Sequence, residues 1–121
     1  MLFLRRHRHQ ELCVLRISPE VLDLPGVVVT DQNAAGDHVR WGRTLAIVDR
    51  DLVFAEYWTH PGDQIAEWRH KSIKCAEVLV PDRVDPEHVL GAYVSGPEGR
   101  AALQAVAPGL PVVEDAHLFF R

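Results

Sequence analysis

The chain has 121 residues, 47% apolar and 25% charged, with a formal net charge of -4. That length suits one domain, expected over residues 1–121, which buries roughly two thirds of its unfolded surface without staples. The composition argues against disorder, and the acidic balance argues against nucleic-acid binding by bulk attraction while leaving room for a local basic patch. No apolar run reaches membrane-spanning length. The start MLFLRRHRH puts its charges after the apolar residues, the reverse of a secretory signal, so a cytoplasmic location and no membrane partner are expected. Cys13 and Cys75 lack metal-type spacing and are too few for a disulfide framework, which leaves them as reduced thiols.

Short strand-like and helix-like segments alternate along the chain. Met1 to Leu4 and Leu12 to Ile17 read as strands on either side of a polar stretch. Ser18-Pro19 supplies a cap and a first helical residue, and Pro25-Gly26 stops that helix early. Val27 to Thr30 is a β-branched run and reads as a buried strand. The turn Asp31 to Gly36 can open a helix toward Trp41. The runs 45–48 (LAIV) and 52–54 (LVF) fit strand or helix equally.

After the break at 59–63, Ile65, Trp68 and Ser72 fall at helical spacing. Cys75 to Val80 reads as a strand ended by Pro81. Asp85-Pro86 starts a single turn, VLGAYV (89–94) reads as a strand, and Gly96-Pro97 opens a helix with Leu103 and Val106 on one face. Pro111 to Glu114 and His117 to Phe120 read as closing strands. Strands and helices intermix without a sustained βαβ rhythm, which makes the expected class α+β.

Phosphate-binding loops, nucleophile elbows and the HExxH zinc motif are absent from the sequence. Seven histidines invite a metal. His7 and His9 sit among arginines, however, and His60, His70 and His88 lack an acidic ligand at helical spacing, so no metal site is expected. The cluster RRHRH (5–9) is either a phosphate contact or a solvated hairpin tip, the second being the simpler reading. In 68–74 (WRHKSIK) an aromatic stands among cations, as binding of single strands requires, although a helix end also attracts cations. Glu77 is the odd residue of 75–80 (CAEVLV). Alternation puts Cys75, Glu77 and Leu79 on one face, and a carboxylate there either faces solvent or sits in a cleft.

The segment 71–84 (KSIKCAEVLVPDRV), with the one-turn helix and GAYV strand that follow, resembles the DarT family of single-stranded-DNA ADP-ribosyltransferase toxins. MLFLRRH at 1–7 is similar to the family's Pro-Met-Leu segment, VVTDQNAA at 28–35 to its Thr-Asp-Gly-Asn-Ala element, and 111–120 to its closing strands. The resemblance implies an ADP-ribosyltransferase fold, a split antiparallel β-core with flanking helices, here incomplete at its N-terminus. It implies transfer of ADP-ribose from NAD to thymidine in single-stranded DNA, without a metal, with Glu77 as the catalytic carboxylate. Residues 43–74 would form the substrate-recognition loop, with Trp68, Lys71 and Lys74 as DNA contacts chosen by residue type. A macrodomain-type antitoxin is the implied partner.

In the family, residues that hold NAD lie before the position where this chain starts, and Arg5 and Arg6 fall after it. Their counterparts here are unknown. The expectation is therefore a C-terminal portion of the domain that is inactive alone and prone to self-association through open sheet edges. The alternative is a non-enzymatic module that binds single-stranded DNA or a protein partner. A metabolic enzyme of another class is disfavoured by the missing motifs.

Overall fold

The computed structural model describes residues 3–119, with side chains from residue 7 onward. In chain order the regular elements are β1 (Cys13–Ile17), β2 (Val28–Thr30), β3 (Trp41–Gly42), α1 (Arg50–Val53), α2 (Gln64–Ile73), β4 (Val78–Leu79), β5 (Val89–Val94), α3 (Pro97–Val106) and β6 (Val112–Glu114). Short 3-10 segments join them. The class is α+β, as expected. Two compact units form, one from the two chain ends (to Pro19 and from Val84) and one from Glu20–Arg83.

In the unit of the chain ends, three strands lie in the order β1-β5-β6. The β-branched and aromatic run of β5 makes it the natural centre. β1 pairs with it antiparallel, Leu15 opposite Ala92, and β6 pairs with it parallel, Ala92 opposite Val112. That parallel pair is possible because α3 supplies the crossover between the two strands. Ala92, Val94 and Phe119 are buried there. At Gly91 the β1–β5 register shifts, φ is +157°, and an added Cβ would stand 2.7 Å from the Pro111 carbonyl oxygen. Only glycine fits that position without moving backbone.

In the unit 20–83, three strands lie in the order β3-β2-β4, all antiparallel. β2 is central, and Val27, Val29 and Thr30 are buried around it. Asp31 ties off the loop that follows. Its Oδ1 accepts the Arg40 N–H (2.9 Å), its Oδ2 takes the Arg40 Nε–H (2.6 Å), and its own N–H donates to the Arg40 carbonyl (3.3 Å). This clamp brings Trp41 opposite Thr30. Burial pushes the Asp31 carboxyl up, but the Arg40 N–H and guanidinium outweigh it and hold the group below the usual carboxylate range.

The structure corrects several local expectations. Phe3–Glu11 is a 3-10 helix rather than a strand and a hairpin tip, while Met1 and Leu2 lie outside the described residues. Arg8 and Glu11 form an ion pair at i,i+3, the repeat of that helix, and His9 Nδ1, 2.9 Å from Ser95 Oγ, ties the segment to the residues after β5. No helix forms over 31–41, because the Asp31–Arg40 clamp takes the backbone groups a helix would use. LAIV becomes a 3-10 turn (Leu45–Ile47) capped by Thr44, and LVF enters α1, capped by Asp49.

Two further corrections lie downstream. The strand expected over Cys75 to Val80 pairs regularly only at Val78–Leu79, since the Cys75 and Ala76 N–H groups still donate to carbonyls at the end of α2. Instead of a closing strand, Ala116–Leu118 is a 3-10 turn with Asp115 accepting the His117 N–H (2.9 Å), and Phe120 lies outside the described residues. Leu103 and Val106 do share a face of α3, where both line one cavity, with Val106 81% exposed. No helix among the described residues is long and apolar enough to cross a membrane.

Two outcomes test this account. Gly91→Ala should cost about 1–3 kcal/mol in urea unfolding, through strain at positive φ and the contact with Pro111. A wild-type midpoint would contradict it. For Asp31, a depressed folded-state value means that the clamp stabilises fully above the ordinary carboxylate value of ~3.9 and fades as pH falls through the lower folded value. The midpoint gap between wild type and Asp31→Asn should therefore narrow below about pH 4. A gap independent of pH would contradict the clamp.

Candidate functional site

Glu77 follows the end of α2 and enters β4, and its backbone is bonded to β2. The Thr30 N–H donates to the Glu77 carbonyl at 2.9 Å. The Thr30 hydroxyl accepts the Glu77 N–H at 3.1 Å and donates to the Gln32 carbonyl at 2.7 Å. Thr30 has 0% exposure, so these bonds are made away from competing water. Beyond Thr30 the loop turns back on Glu77: the Ala34 N–H donates to Glu77 Oε2 at 2.9 Å. Asn33 shapes that loop by accepting the Ala35 N–H on its side chain (2.9 Å) and the Gly36 N–H on its carbonyl (2.9 Å). Its own N–H donates to the Ser72 carbonyl at 3.0 Å, joining the loop to the end of α2.

The carboxylate is exposed, and it lines a cavity of about 300 Å³ in this unit. Leu45, Val48, Val53 and Phe54 supply apolar walls, and Arg50 supplies a cation. An anion with one oxygen fixed by a backbone N–H, beside an apolar recess, suits stabilisation of positive charge developing on a bound substrate. Sequence reading isolated Glu77 but missed its cavity partners. Phe54 and Leu45 belonged to runs whose structure was ambiguous, and Arg50 had no distinguishing local signal.

Trp68 is 62% exposed and lines a second, wider cavity of about 760 Å³, with Ile65 and Arg69 on α2 and Asp37 and His38 on the facing loop. Lys71 does not line it; its Nζ stands 5.7 Å from the centre of the Trp58 ring. Lys74 is turned to another task, donating to the carbonyls of Val53 (3.0 Å) and Ala55 (2.6 Å). The structure thus separates the three residues singled out as DNA contacts. Arg69 was legible as part of 68–74, whereas His38 is brought near only by the folded loop. Among the described residues no group of three or more His, Cys, Asp or Glu side chains is placed to hold a metal ion.

Comparison with known proteins gives a consistent result. A family model described as "ssDNA thymidine ADP-ribosyltransferase, DarT" matches residues 1–118. No curated protein matches the chain. Among solved structures, Thermosipho africanus DarTG in complex with ADP-ribose is similar over 99% of this chain and 33% of that one, with 25% identity and a TM-score of 0.78. Thermus sp. 2.9 DarT in complex with carba-NAD+ is similar over 86% of this chain and 56% of that one (18% identity, TM-score 0.72). The same Thermus protein in complex with NAD+ is similar over 78% and 49% (21% identity, TM-score 0.63). The two Thermus matches bear on the fold alone, and the chain spans about a third to just over half of the solved chains it resembles. With the match running over nearly all of its length, the chain belongs to the DarT family.

Proposed function

We propose that the chain carries the catalytic carboxylate of an NAD-dependent ADP-ribosyltransferase that modifies thymidine in single-stranded DNA. The observation behind this reading is Glu77, pinned through Oε2 to the Ala34 N–H at the cavity lined by Arg50 and Phe54. Cleavage of the bond between nicotinamide and ribose sends the electron pair out with nicotinamide and leaves a cation on the ribose carbon. A fixed carboxylate stabilises that charge as it forms, and Glu77 would do so by accepting a hydrogen bond from a ribose hydroxyl. The acceptor base then attacks the same carbon and loses its proton, which completes the transfer.

NAD is the donor in this reading, supported by the family match and by the ADP-ribose bound to the Thermosipho relative. Single-stranded DNA is the acceptor, supported by the family description. The exposed indole of Trp68 beside Arg69 offers a stacking face and a charge to a flexible strand. Lys71 is a secondary candidate for a backbone contact. Lys74 is a weaker one, because two of its donors are already used. A macrodomain-type antitoxin as partner and a cytoplasmic setting belong to the same reading. A second reading, a strand-binding module without transfer, rests on the exposed Trp68 beside Arg69, which line a cavity that Glu77 does not.

One experiment decides between them. The whole chain is incubated with NAD and a thymidine-containing single-stranded oligonucleotide, and the oligonucleotide is weighed by mass spectrometry. The transfer reading expects an ADP-ribose adduct, formed roughly 100-fold more slowly or not at all by Glu77→Gln. An equal rate in that variant overturns the role of Glu77. Retained binding of the oligonucleotide with no adduct from wild type supports the module.

A further inference from the structure

The walls of the Glu77 cavity include Arg50, Val53 and Phe54, all in α1 or at its C-terminal cap. α1 has four residues, far too few to hold its shape alone. Its last carbonyls need donors from outside the helix. Two side chains, one in α2 and one at its C-cap, provide them, and they lie at i,i+4, on one face of that helix. His70 Nε2 lies 2.9 Å from the Leu52 carbonyl, and Lys74 Nζ reaches those of Val53 and Ala55. The Lys74 cation also suits the negative end of a helix.

His70 is itself held. It is 6% exposed, and its Nδ1 lies 3.0 Å from Nε2 of His60. A carbonyl can only accept, so a neutral His70 carries its proton on Nε2 and presents a lone pair at Nδ1. His60 must then donate through Nε2–H. The result is a directed relay, His60 to His70 to the Leu52 carbonyl, whose first member is steadied by its backbone N–H donating to Glu67 Oε2 (3.4 Å).

We propose that His60, His70 and Lys74 are positioning residues, a latch that holds α1 so that Arg50, Val53 and Phe54 shape the cavity at Glu77. The latch gives a task to a histidine pair that neither metal binding nor charge patterning explains, and it moves Lys74 from substrate contact to support. Its bearing on catalysis rests on the transfer reading above, whereas its bearing on α1 does not.

Amide hydrogen exchange on the whole chain tests it. Lys74→Met and His60→Ala should each speed exchange at Val53, Phe54 and Ala55 about tenfold or more, with the Thr30 amide of the same unit unchanged. Lys74→Arg, which keeps donors and charge, should restore most of the protection. In wild type, two-bond proton–nitrogen spectra should place the neutral His70 proton on Nε2. In the transfer assay, Lys74→Met should lower turnover while leaving KM for NAD within about twofold. Unchanged protection at 53–55, acceleration of Thr30 together with 53–55, or a His70 proton on Nδ1 would overturn the latch. A wild type without transfer but with the expected exchange pattern would overturn the transfer reading and uphold the latch.

Discussion

Thr30 and Glu77, 47 residues apart, share a backbone bond, a side-chain bond and the loop that each of them shapes. Thr30 ends the central strand of its sheet and has no exposure, so its hydroxyl must find partners within the protein. It finds the Glu77 N–H and the Gln32 carbonyl, one on each segment that meets there. That choice sends residues 31–36 over Glu77, where the Ala34 N–H takes the carboxylate, and Asn33 ties the same loop to the end of α2. Strand, loop and helix end are thus fixed around one acidic side chain. Loss of the Thr30 hydroxyl would leave a part-buried N–H and a carbonyl without this partner, a cost of about 1 kcal/mol, toward the low end for an unsatisfied group.

The chemistry follows from this order of support. An anion can favour a transition state over a ground state only if it is already in place when charge develops. Glu77 meets that condition through the backbone rather than through a flexible partner. The cavity beside it depends on a weaker structure, a single helical turn braced by donors from α2. The formal charge of -4 says little about such a site. What matters locally is where Arg50, Arg69 and Lys71 stand, and only Arg50 shares the Glu77 cavity.

Much of the framework was legible in the sequence. β5 and α3 carry strong local signals, a branched and aromatic run and a Gly-Pro start, and both form where those signals place them. Glu77 stood out because a carboxylate among apolar strand residues is costly without a reason. The failures share a cause. The loop after Thr30 has helix-compatible residues, but Arg40, nine positions from Asp31, closes it as a clamp. Cys75 and Ala76 look like strand residues, yet the carbonyls of α2 still claim their amides. The charge of Lys74 was visible in the sequence, whereas the carbonyls of Val53 and Ala55 that its Nζ reaches were not. For the loop and for Cys75 and Ala76 alike, hydrogen-bond partners across a turn or just inside a helix end claim backbone groups that side-chain periodicity does not register.

The central claim is that the loop after β2 holds Glu77 through the Ala34 amide. It can be measured directly as the hydrogen-exchange rate of that amide in wild type and in Glu77→Ala. The account predicts that exchange at Ala34 accelerates when the carboxylate is removed, while Thr30, which donates to the Glu77 backbone carbonyl, keeps its protection. An Ala34 amide that exchanges at the same rate in both proteins would contradict it.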